Sequence, residues 1–170
     1  IEEDLSRRDF TVNAMACVIK HETQSMKHAK NKNDIIHAPG FMLHDLVDPY
    51  NGQADLKNKI IRTVGEPEKR FGEDALRLMR AVRFAVHLSA GGGSALGGDF
   101  SIEKETEISI KKNSASLKMI AKERIRDEFV KIISSDQPML GLQLAHDLGI
   151  LKYILPELEE GIGTEQNKAH

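Results

Sequence analysis

Two adjacent acids, the second of them Asp74, and three arginines at short intervals lie in residues 72–84, which read GEDALRLMRAVRF. On a helix, where each residue turns by about 100°, Arg77, Arg80 and Arg83 fall within about 120° of one another, and Asp74 lies one turn before Arg77. The arginine side chain is a planar fork of donors that binds a phosphate, a carboxylate or a base edge in fixed geometry. Asp74 and Arg77 together therefore offer an acceptor and a donor to a nucleobase. An ordinary Asp74–Arg77 ion pair on a solvated helix face is the structural alternative, and these residues alone leave both open.

A second basic cluster, Arg7 and Arg8 followed by Asp9, lies within SRRDFTVNA at residues 6–14. The pattern predicts a short helix with Asp9 as its N-cap, so both arginines precede the positive end of that helix. Cations are disfavoured there unless an anion offsets them. That anion is either a local carboxylate, from Asp4 or Asp9, or a bound phosphate, since helix N-termini are ready anion sites. The residues alone favour neither reading.

The elements that must position these residues begin with a small strand-containing piece. We expect strands at Ala16–Ile19 and Phe41–Val47, a strong turn at residues 48–52 (DPYNG), and the end of this piece near Gly65. Beyond it the chain reads as helical. The predicted helices are Pro67 to about Leu88, Ser101–Asn113 with Ser101 as its cap, Ser116–Ser134, Pro138 to near Gly149, and a short piece from Pro156.

The first predicted helix should be amphipathic, with its apolar residues on the side opposite the arginines. That buried face would comprise Phe71, Ala75, Leu78, Val82 and Val86. Residues 91–98 are rich in glycine, with neither the Lys-Ser or Lys-Thr nor the preceding strand of a phosphate loop. We expect a flexible surface insert there and assign it no role.

The composition excludes several classes of protein. The 170 residues are 40% hydrophobic and 29% charged with a formal net charge of -2, which fits a folded soluble protein without a uniformly basic surface. The single cysteine, Cys17, permits no internal disulfide or zinc cluster, and we expect it to be buried. No stretch is long and apolar enough to span a membrane, so we expect a cytoplasmic protein without a membrane partner. Because the chain opens on Ile1 and stops at His170 without a helix-ending signal, we expect the natural protein to be longer.

Six segments, in this order and at compatible spacing, resemble the tRNA nucleotidyltransferase and poly(A) polymerase family in its bacterial-type, class II branch. They are SRRDFTVNA at 6–14, DPYNGQADL at 48–56, IRTVG at 61–65, GEDALRLMRAVRF at 72–84, ERIRDEF at 123–129 and GILKYILPEL at 149–158. The resemblance implies a mainly α fold with a small α/β portion. Residues 1–64 would be the later part of a nucleotidyltransferase head, residues 65–135 a helical neck, and residues 136–170 the start of a helical body.

The resemblance also implies roles for individual residues. It gives nucleotide-binding roles to Arg8, Asp9, Asp74, Arg77, Arg80 and Arg83, and supporting roles to Asn13, Glu73, Glu123 and Arg124. Within these sets, Arg8 would contact the nucleotide and Asp9 would orient it or its ribose. Asp74 and Arg77 would read the incoming base in place of a nucleic-acid template. Arg80 and Arg83 would hold the nucleotide and its triphosphate.

For the supporting residues the resemblance implies structural roles. Asn13 would make local structural hydrogen bonds, and Glu123 with Arg124 would form a helix turn that buttresses the base-reading helix. Residues 48–56 match a flexible segment linked to head movement between additions. In chemical terms, the family uses paired carboxylates that hold two Mg ions for in-line transfer. No segment here matches them, so we expect the catalytic ligands upstream of Ile1 and no catalysis by this chain alone.

The expected reaction of the longer protein is addition of C and A residues to the 3′ end of tRNA or another RNA, from CTP and ATP. A poly(A) polymerase of the same family is one alternative. A non-catalytic helical RNA-binding module is another, and it would explain the arginines without carboxylates. A third is an HD-type phosphohydrolase, suggested by His44-Asp45 and His146-Asp147, which we regard as chance dipeptides because such metal sites need further ligands.

Overall fold

The computed structural model describes residues 1–21, 41–89 and 98–164, without the side chains of 18–21 and 41–45. Over these residues the chain is mainly α-helical with a small α/β portion, as the resemblance implied. The strands are β1 (Ala16–His21), β2 (Phe41–Val47), β3 (Ile60–Ile61) and β4 (Ser101–Ile102). The helices are α1 (Glu2–Ser6), α2 (Gly52–Asn58), α3 (Pro67–Glu73), α4 (Arg77–Ser89), α5 (Lys104–Asn113), α6 (Lys122–Ile133), α7 (Pro138–Asp147), α8 (Leu151–Ile154) and α9 (Pro156–Gly161).

Strands β1 and β2 pair antiparallel, from Ala16 opposite Val47 to His21 opposite Phe41, which confirms both predicted strands. The turn that follows leads directly into α2, a helix that the sequence did not predict. Asp48 explains its start, because its two carboxylate oxygens accept hydrogen bonds from the backbone N–H of Gly52 (2.7 Å) and Gln53 (3.0 Å). A Cβ at position 52 would lie 2.2 Å from a backbone oxygen, so only glycine fits there.

The segment around β3 joins distant parts of the chain. On one side it pairs with β4 in parallel, and on the other it forms an antiparallel bridge between Thr63 and Phe10. Backbone hydrogen bonds reinforce the second contact, from Thr11 N to Arg62 O (2.9 Å) and from Val64 N to the carbonyl of Asp9 (3.0 Å). Residues near the N-terminus are thereby fixed against the segment that leads into α3.

The single helix predicted from Pro67 to about Leu88 is wrong, because α3 and α4 are separate helices. Asp74 lies between them in an extended conformation (φ -154°, ψ 107°). Its side chain accepts a hydrogen bond from Leu76 N (3.0 Å) and its carbonyl accepts one from Arg77 N (3.1 Å). Aspartate competes for nearby backbone donors in this way and so favours caps over helix interiors. Asp74 and Arg77 are therefore not one turn apart on a helix, although the predicted apolar face, from Phe71 to Val86, is buried.

Two boundaries of the later helices also differ from prediction. Ser101 lies in β4, and the cap of α5 is instead Glu103, whose carboxylate accepts from Thr106 N (2.8 Å). The helix predicted at residues 116–134 is broken by extended backbone at Ile120, between a 3-10 helix at Ser114–Met119 and α6. The starts at Pro138 and Pro156 are confirmed, as is the stop at Gly149 (φ +67°), whereas α8 was not predicted.

Helix α4 is the centre of the hydrophobic core. Its buried residues are Leu78, Met79, Ala81, Val82, Ala85, Val86 and Ser89. They pack with Phe10 and Ile61 from the strand region, Ile110 and Leu117 from the next helices, and Ile132 of α6. A helix buried along most of its length holds its few polar side chains in fixed positions, and these side chains form the candidate site.

The structure tests the expectation for Cys17 but not the one for the glycine-rich insert. Cys17 is exposed rather than buried. Cys17 lies on β1 opposite Leu46 of β2, which is also exposed. Residues opposite each other in an antiparallel pair project from the same face of the sheet. The glycine-rich insert, apart from Gly98, lies outside the described residues.

Candidate functional site

Asp9 is the centre of the candidate site. Its Oδ1 accepts a hydrogen bond from Arg77 Nε at 2.9 Å, and its Oδ2 lies 2.5 Å from Arg80 Nη2. Only 11% of the Asp9 side chain is exposed, against 15% for Arg77 and 35% for Arg80. With Arg70 and Glu73, which contact this group through Arg77, three guanidinium groups stand against two carboxylates, which leaves a local excess of positive charge. Arg80 Nε, in addition, is buried without a hydrogen-bond partner within the described chain.

Arg77 is held by three acceptors. Besides Asp9, the backbone carbonyl of Arg70 accepts from Nη1 at 2.8 Å, and the carboxylate of Glu73 forms a close ion pair with the same nitrogen. The plane of the guanidinium is therefore fixed by contacts at two of its three nitrogens. The remaining nitrogen, Nη2, is not a buried atom and makes no hydrogen bond to the described residues, so it can donate to a ligand.

Asp74 has partners of its own and does not pair with Arg77, so the ion pair that we weighed as the structural alternative is not formed. Its Oδ2 accepts from Arg124 Nη2 of α6 at 2.7 Å, and its Oδ1 accepts from Leu76 N. Burial alone would raise the pKa of this carboxyl. The hydrogen bonds from Arg124 and Leu76, with the charges of Arg124 and Arg77, outweigh burial and lower its pKa. Asp74 is therefore ionised at neutral pH, and its acceptor oxygens lie close enough to Arg77 for the two charges to interact.

Arg83 contacts α6 and is not among the partners of Asp9. Its Nε donates to Glu128 Oε2 at 2.6 Å, and its guanidinium stacks 4.6 Å from the centre of the Phe84 ring. Glu128 is buried and also accepts from Lys131 (2.9 Å). Burial works to raise the pKa of Glu128, but the hydrogen bonds and charges of Lys131 and Arg83 lower it. The structure thus shows Arg83 in an interhelical ion pair, and its contact with a nucleotide stays a prediction.

The arginines of residues 6–9 are more exposed than those of α4. Arg7 pairs with Glu3 at 2.6 Å and Arg8 with Asp4 at 2.9 Å, both along α1. Asp9 is not an N-cap as predicted, because its carboxylate turns toward α4. The 3-10 helix at Thr11–Asn13 is instead closed by Asn13, whose Oδ1 accepts from Phe10 N (3.1 Å). That contact is a local hydrogen bond to the backbone, and the supporting role of Asn13 stays a prediction.

The supporting residues divide into those that reach the site and those that do not. Glu73 contacts Arg77, and Arg124 contacts Asp74, whereas Glu123 is exposed in the first turn of α6. Sequence reasoning missed Arg70 and Glu128, which hold Glu73 and Arg83. The pair of Arg70 with Glu73 is local, but the contacts of Arg70 with Ser6 and of Glu128 with Arg83 span 64 and 45 residues, so no local pattern marked them.

The histidine and acid dipeptides show no metal-site geometry in the described residues. His146 Nδ1 lies 3.1 Å from Glu159 of α9, and Asp147 accepts from Gln143 (2.9 Å). The side chains of His44 and Asp45 lie outside the description. Over residues 1–21, 41–89 and 98–164, no group of three His, Cys, Asp or Glu side chains is arranged to hold a metal ion. In the same ranges no helix has the length and apolar character that a membrane crossing requires.

Comparisons with known proteins agree on one family. A family profile described as "Poly A polymerase head domain" matches residues 1–62, and one described as "Probable RNA and SrmB-binding site of polymerase A" matches residues 99–162. The CCA-adding enzyme of Lactobacillus helveticus is 45% identical over 78% of this chain and 25% of its own length. That of Ligilactobacillus salivarius is 43% identical over 90% of the chain and 30% of its own length.

Solved structures give the same picture. The Bacillus stearothermophilus CCA-adding enzyme in complex with CTP superposes with a TM-score of 0.69 at 34% identity, covering 95% of this chain and 33% of that one. A structure described as a tRNA-processing enzyme in apo form 2 superposes with a TM-score of 0.65 at 29% identity, over 98% of this chain and 38% of that one. The chain thus spans about a third or less of the curated relatives named above.

Proposed function

The chain belongs to the family of CCA-adding enzymes and poly(A) polymerases, and we propose that the longer protein that carries it adds C and A residues to tRNA 3′ ends from CTP and ATP. The observation that carries this proposal is the fixed guanidinium of Arg77 beside the ionised carboxylate of Asp74. The cytoplasm, where we expected the protein, is its proposed place of action.

Base selection follows from the order of donors and acceptors. On their pairing edges, cytosine and adenine both present an amino donor beside a ring-nitrogen acceptor, whereas uracil and guanine present a carbonyl acceptor beside an N–H donor. An ionised aspartate only accepts and an arginine only donates. Asp74 facing the amino group and Arg77 Nη2 facing the ring nitrogen match cytosine and adenine and oppose both other bases. Asp74 would exchange part of its contact with Arg124 for the amino group of the base.

The triphosphate would bind to the excess positive charge around Asp9. There the guanidinium groups of Arg70, Arg77 and Arg80 are matched by two carboxylates, those of Asp9 and Glu73. An anionic ligand would offset the remaining positive charge and accept from the exposed part of Arg80, 35% of its side chain. Arg8, half exposed and held only by Asp4 on α1, can turn toward the same ligand at small cost, because exposed ion pairs are weak. Arg83 would join them by giving up part of its contact with Glu128.

The proposed division of the chain follows the one expected from sequence. Residues 1–64 would be part of the head, residues 65–135 the neck and residues 136–170 the start of the body. The match of the head profile to residues 1–62 supports the first boundary. We propose Mg as the divalent metal of the longer protein. The described residues of this chain do not fit a metal site, so the ligands would lie in another part of that protein and no step is assigned to them here.

The test is addition of nucleotides by the longer protein to tRNA transcripts that end before, within or after the CCA sequence. We expect CTP alone to add two residues to the shortest transcript, ATP alone to add one to a transcript ending in CC, and the complete tRNA to stay unchanged. Repeated addition from ATP alone to any RNA would instead identify the poly(A) polymerase. RNA binding without incorporation of any nucleotide would overturn both and favour the non-catalytic module.

A further inference from the structure

Arg70 of α3 has its guanidinium nearly enclosed, with 15% of the side chain exposed. Each of its three nitrogens donates to an acceptor in a different place. Nε donates to the carbonyl of Val64 (3.1 Å), Nη2 to the carbonyl of Ser6 (2.6 Å), and Nη1 to the carboxylate of Glu73 (3.1 Å). Such a three-way contact needs the rigid fork of arginine, because the single ammonium of lysine cannot reach three separated acceptors in one plane.

The acceptors of Arg70 are the supports of the candidate site. Ser6 lies three residues before Asp9, and Val64 N donates a hydrogen bond to the Asp9 carbonyl. Two of the hydrogen bonds of Arg70, to Ser6 and to Val64, therefore fix the backbone that carries Asp9. The third holds Glu73, which also pairs with Arg77. The hydrogen bond from Arg77 is the largest cause of a lowered pKa at Glu73, so this carboxylate is ionised at neutral pH. The carbonyl of Arg70 itself accepts from Arg77 Nη1 (2.8 Å).

We propose that Arg70 is a positioning residue for base selection, which sets the orientation of Arg77 through Glu73 and through the segment of Asp9. This inference rests on the proposed function. Arg70 need not touch the nucleotide, because each of its three nitrogens already donates to the protein. Its replacement by lysine would let the fork of Arg77 tilt while the charges in the site stay in place. Selectivity between bases depends on that orientation, whereas attraction of the triphosphate depends mainly on charge.

The experiment compares Arg70→Lys, Glu73→Gln and their double variant with the wild type in the longer protein. The matched control is Arg126→Lys, because Arg126 of α6 is largely exposed and pairs only with its neighbour Asp127. The readout is kcat/KM for CTP relative to UTP, and for ATP relative to GTP, on tRNA lacking its terminal residues. Thermal unfolding of each variant is measured alongside.

We expect each single variant to lower both selectivity ratios by about tenfold, the size of one charged hydrogen bond. The double variant should lose no more than the larger single effect, because both act through one chain of contacts. The control should keep the wild-type ratios. Arg70→Lys that only lowers the midpoint of unfolding, with both ratios unchanged, would overturn the inference.

The same variants also decide the case if Arg70→Lys does not fold or if no nucleotide is incorporated. If Arg70→Lys does not fold, Glu73→Gln decides the case, since Glu73 is half exposed and its replacement leaves the core intact. Unchanged ratios in that variant would then reject the positioning of Arg77 through Glu73, the contact that joins the guanidinium of Arg70 to it most directly. If the wild type and the control incorporate no nucleotide, the proposed function is overturned and this inference falls with it. Selective incorporation by the wild type with unaffected variants rejects the inference alone.

Discussion

At the scale of single residues, Asp9 holds two arginines that would otherwise repel each other in a half-buried setting. Removing one partner of such a group leaves uncompensated charge, which commonly costs about 3 kcal/mol. We predict that Asp9→Ala lowers the free energy of unfolding by about that amount, measured by urea denaturation. The control is Glu3→Gln, which removes a carboxylate from an exposed pair with Arg7 and should change nothing measurable. Equal stabilities of the two variants would contradict the account.

The residue types of the site could be predicted from sequence, but their partners could not. Arg77 was expected to read a base and Arg80 to hold the nucleotide and its triphosphate, and the structure places both against one carboxylate. That carboxylate, Asp9, lies 68 residues before Arg77, and no helical or strand period links positions so far apart. Asp74 was expected to lie one turn before Arg77 on a single helix. Its backbone hydrogen bonds end the helix instead, and its side chain meets Arg124 on α6.

At the scale of elements, the pair of Arg83 and Glu128 fixes α4 against α6. The pKa of Glu128 in the folded protein lies below its ordinary value of 4.5. The folded state therefore binds a proton less readily than the unfolded chain, and this contribution to stability is present above that value and lost as the pH falls through the folded pKa. We predict that unfolding by urea becomes easier as the solution is acidified below about pH 4.5.

The variant that tests this reading of the pH dependence is Glu128→Gln. It should be less stable than the wild type at pH 7, and the difference should shrink as the pH falls, because protonation removes the same charge from the wild type. Asp127→Asn is the matched control, since Asp127 is exposed and, among the described residues, pairs with Arg126 alone. A stability difference between Glu128→Gln and the wild type that does not vary with pH would contradict the assignment.

Ser89, the last residue of α4, connects the two sides of the glycine-rich segment. Its hydroxyl donates to the carbonyl of Ala85 (2.7 Å) and accepts from the backbone N–H of Phe100 (2.7 Å), and both contacts are buried. Without the hydroxyl, the buried N–H loses its acceptor, which costs about 1–3 kcal/mol. We predict a loss of that size in the free energy of unfolding for Ser89→Ala, measured by urea denaturation. Ser101→Ala, at an exposed serine with a contact of 3.5 Å, should be nearly neutral.

The presence of the helices could be predicted from the sequence better than the residues at which they begin and end. Proline at 138 and 156 and glycine at 149 marked boundaries correctly, because each acts on its own backbone. Other boundaries depend on packing or on side chains that accept hydrogen bonds from backbone N–H groups. These are the breaks at Asp74 and Ile120 and the start of α2. Periodicity of apolar residues continues unbroken through such places, so it cannot reveal them.

At the scale of the whole molecule, the two matched regions form one connected scaffold rather than separate units. Strand β3, in the head-profile region, pairs with β4 in the region matched by the RNA-binding profile. A buried carboxylate extends this connection, since Asp55 accepts from Thr11 (2.7 Å) and from Arg62 (3.0 Å), which in turn faces Glu103 of the second region (3.6 Å). The mainly α fold could be predicted from six motifs in order. The parallel pairing of β3 with β4 could not, because strands of two residues are too short to show a periodic pattern.

The most direct test of the account is base selectivity in the longer protein with Asp74→Ala and Arg77→Ala. Since a well-formed pair of hydrogen bonds to a base is worth about 1–3 kcal/mol of discrimination, kcat/KM for CTP over UTP and for ATP over GTP should fall at least about fivefold in each variant. Arg126→Ala, on an exposed face of α6, should leave both ratios at the wild-type value. Unchanged ratios in Asp74→Ala and Arg77→Ala, with incorporation still measurable, would contradict base reading by these two residues.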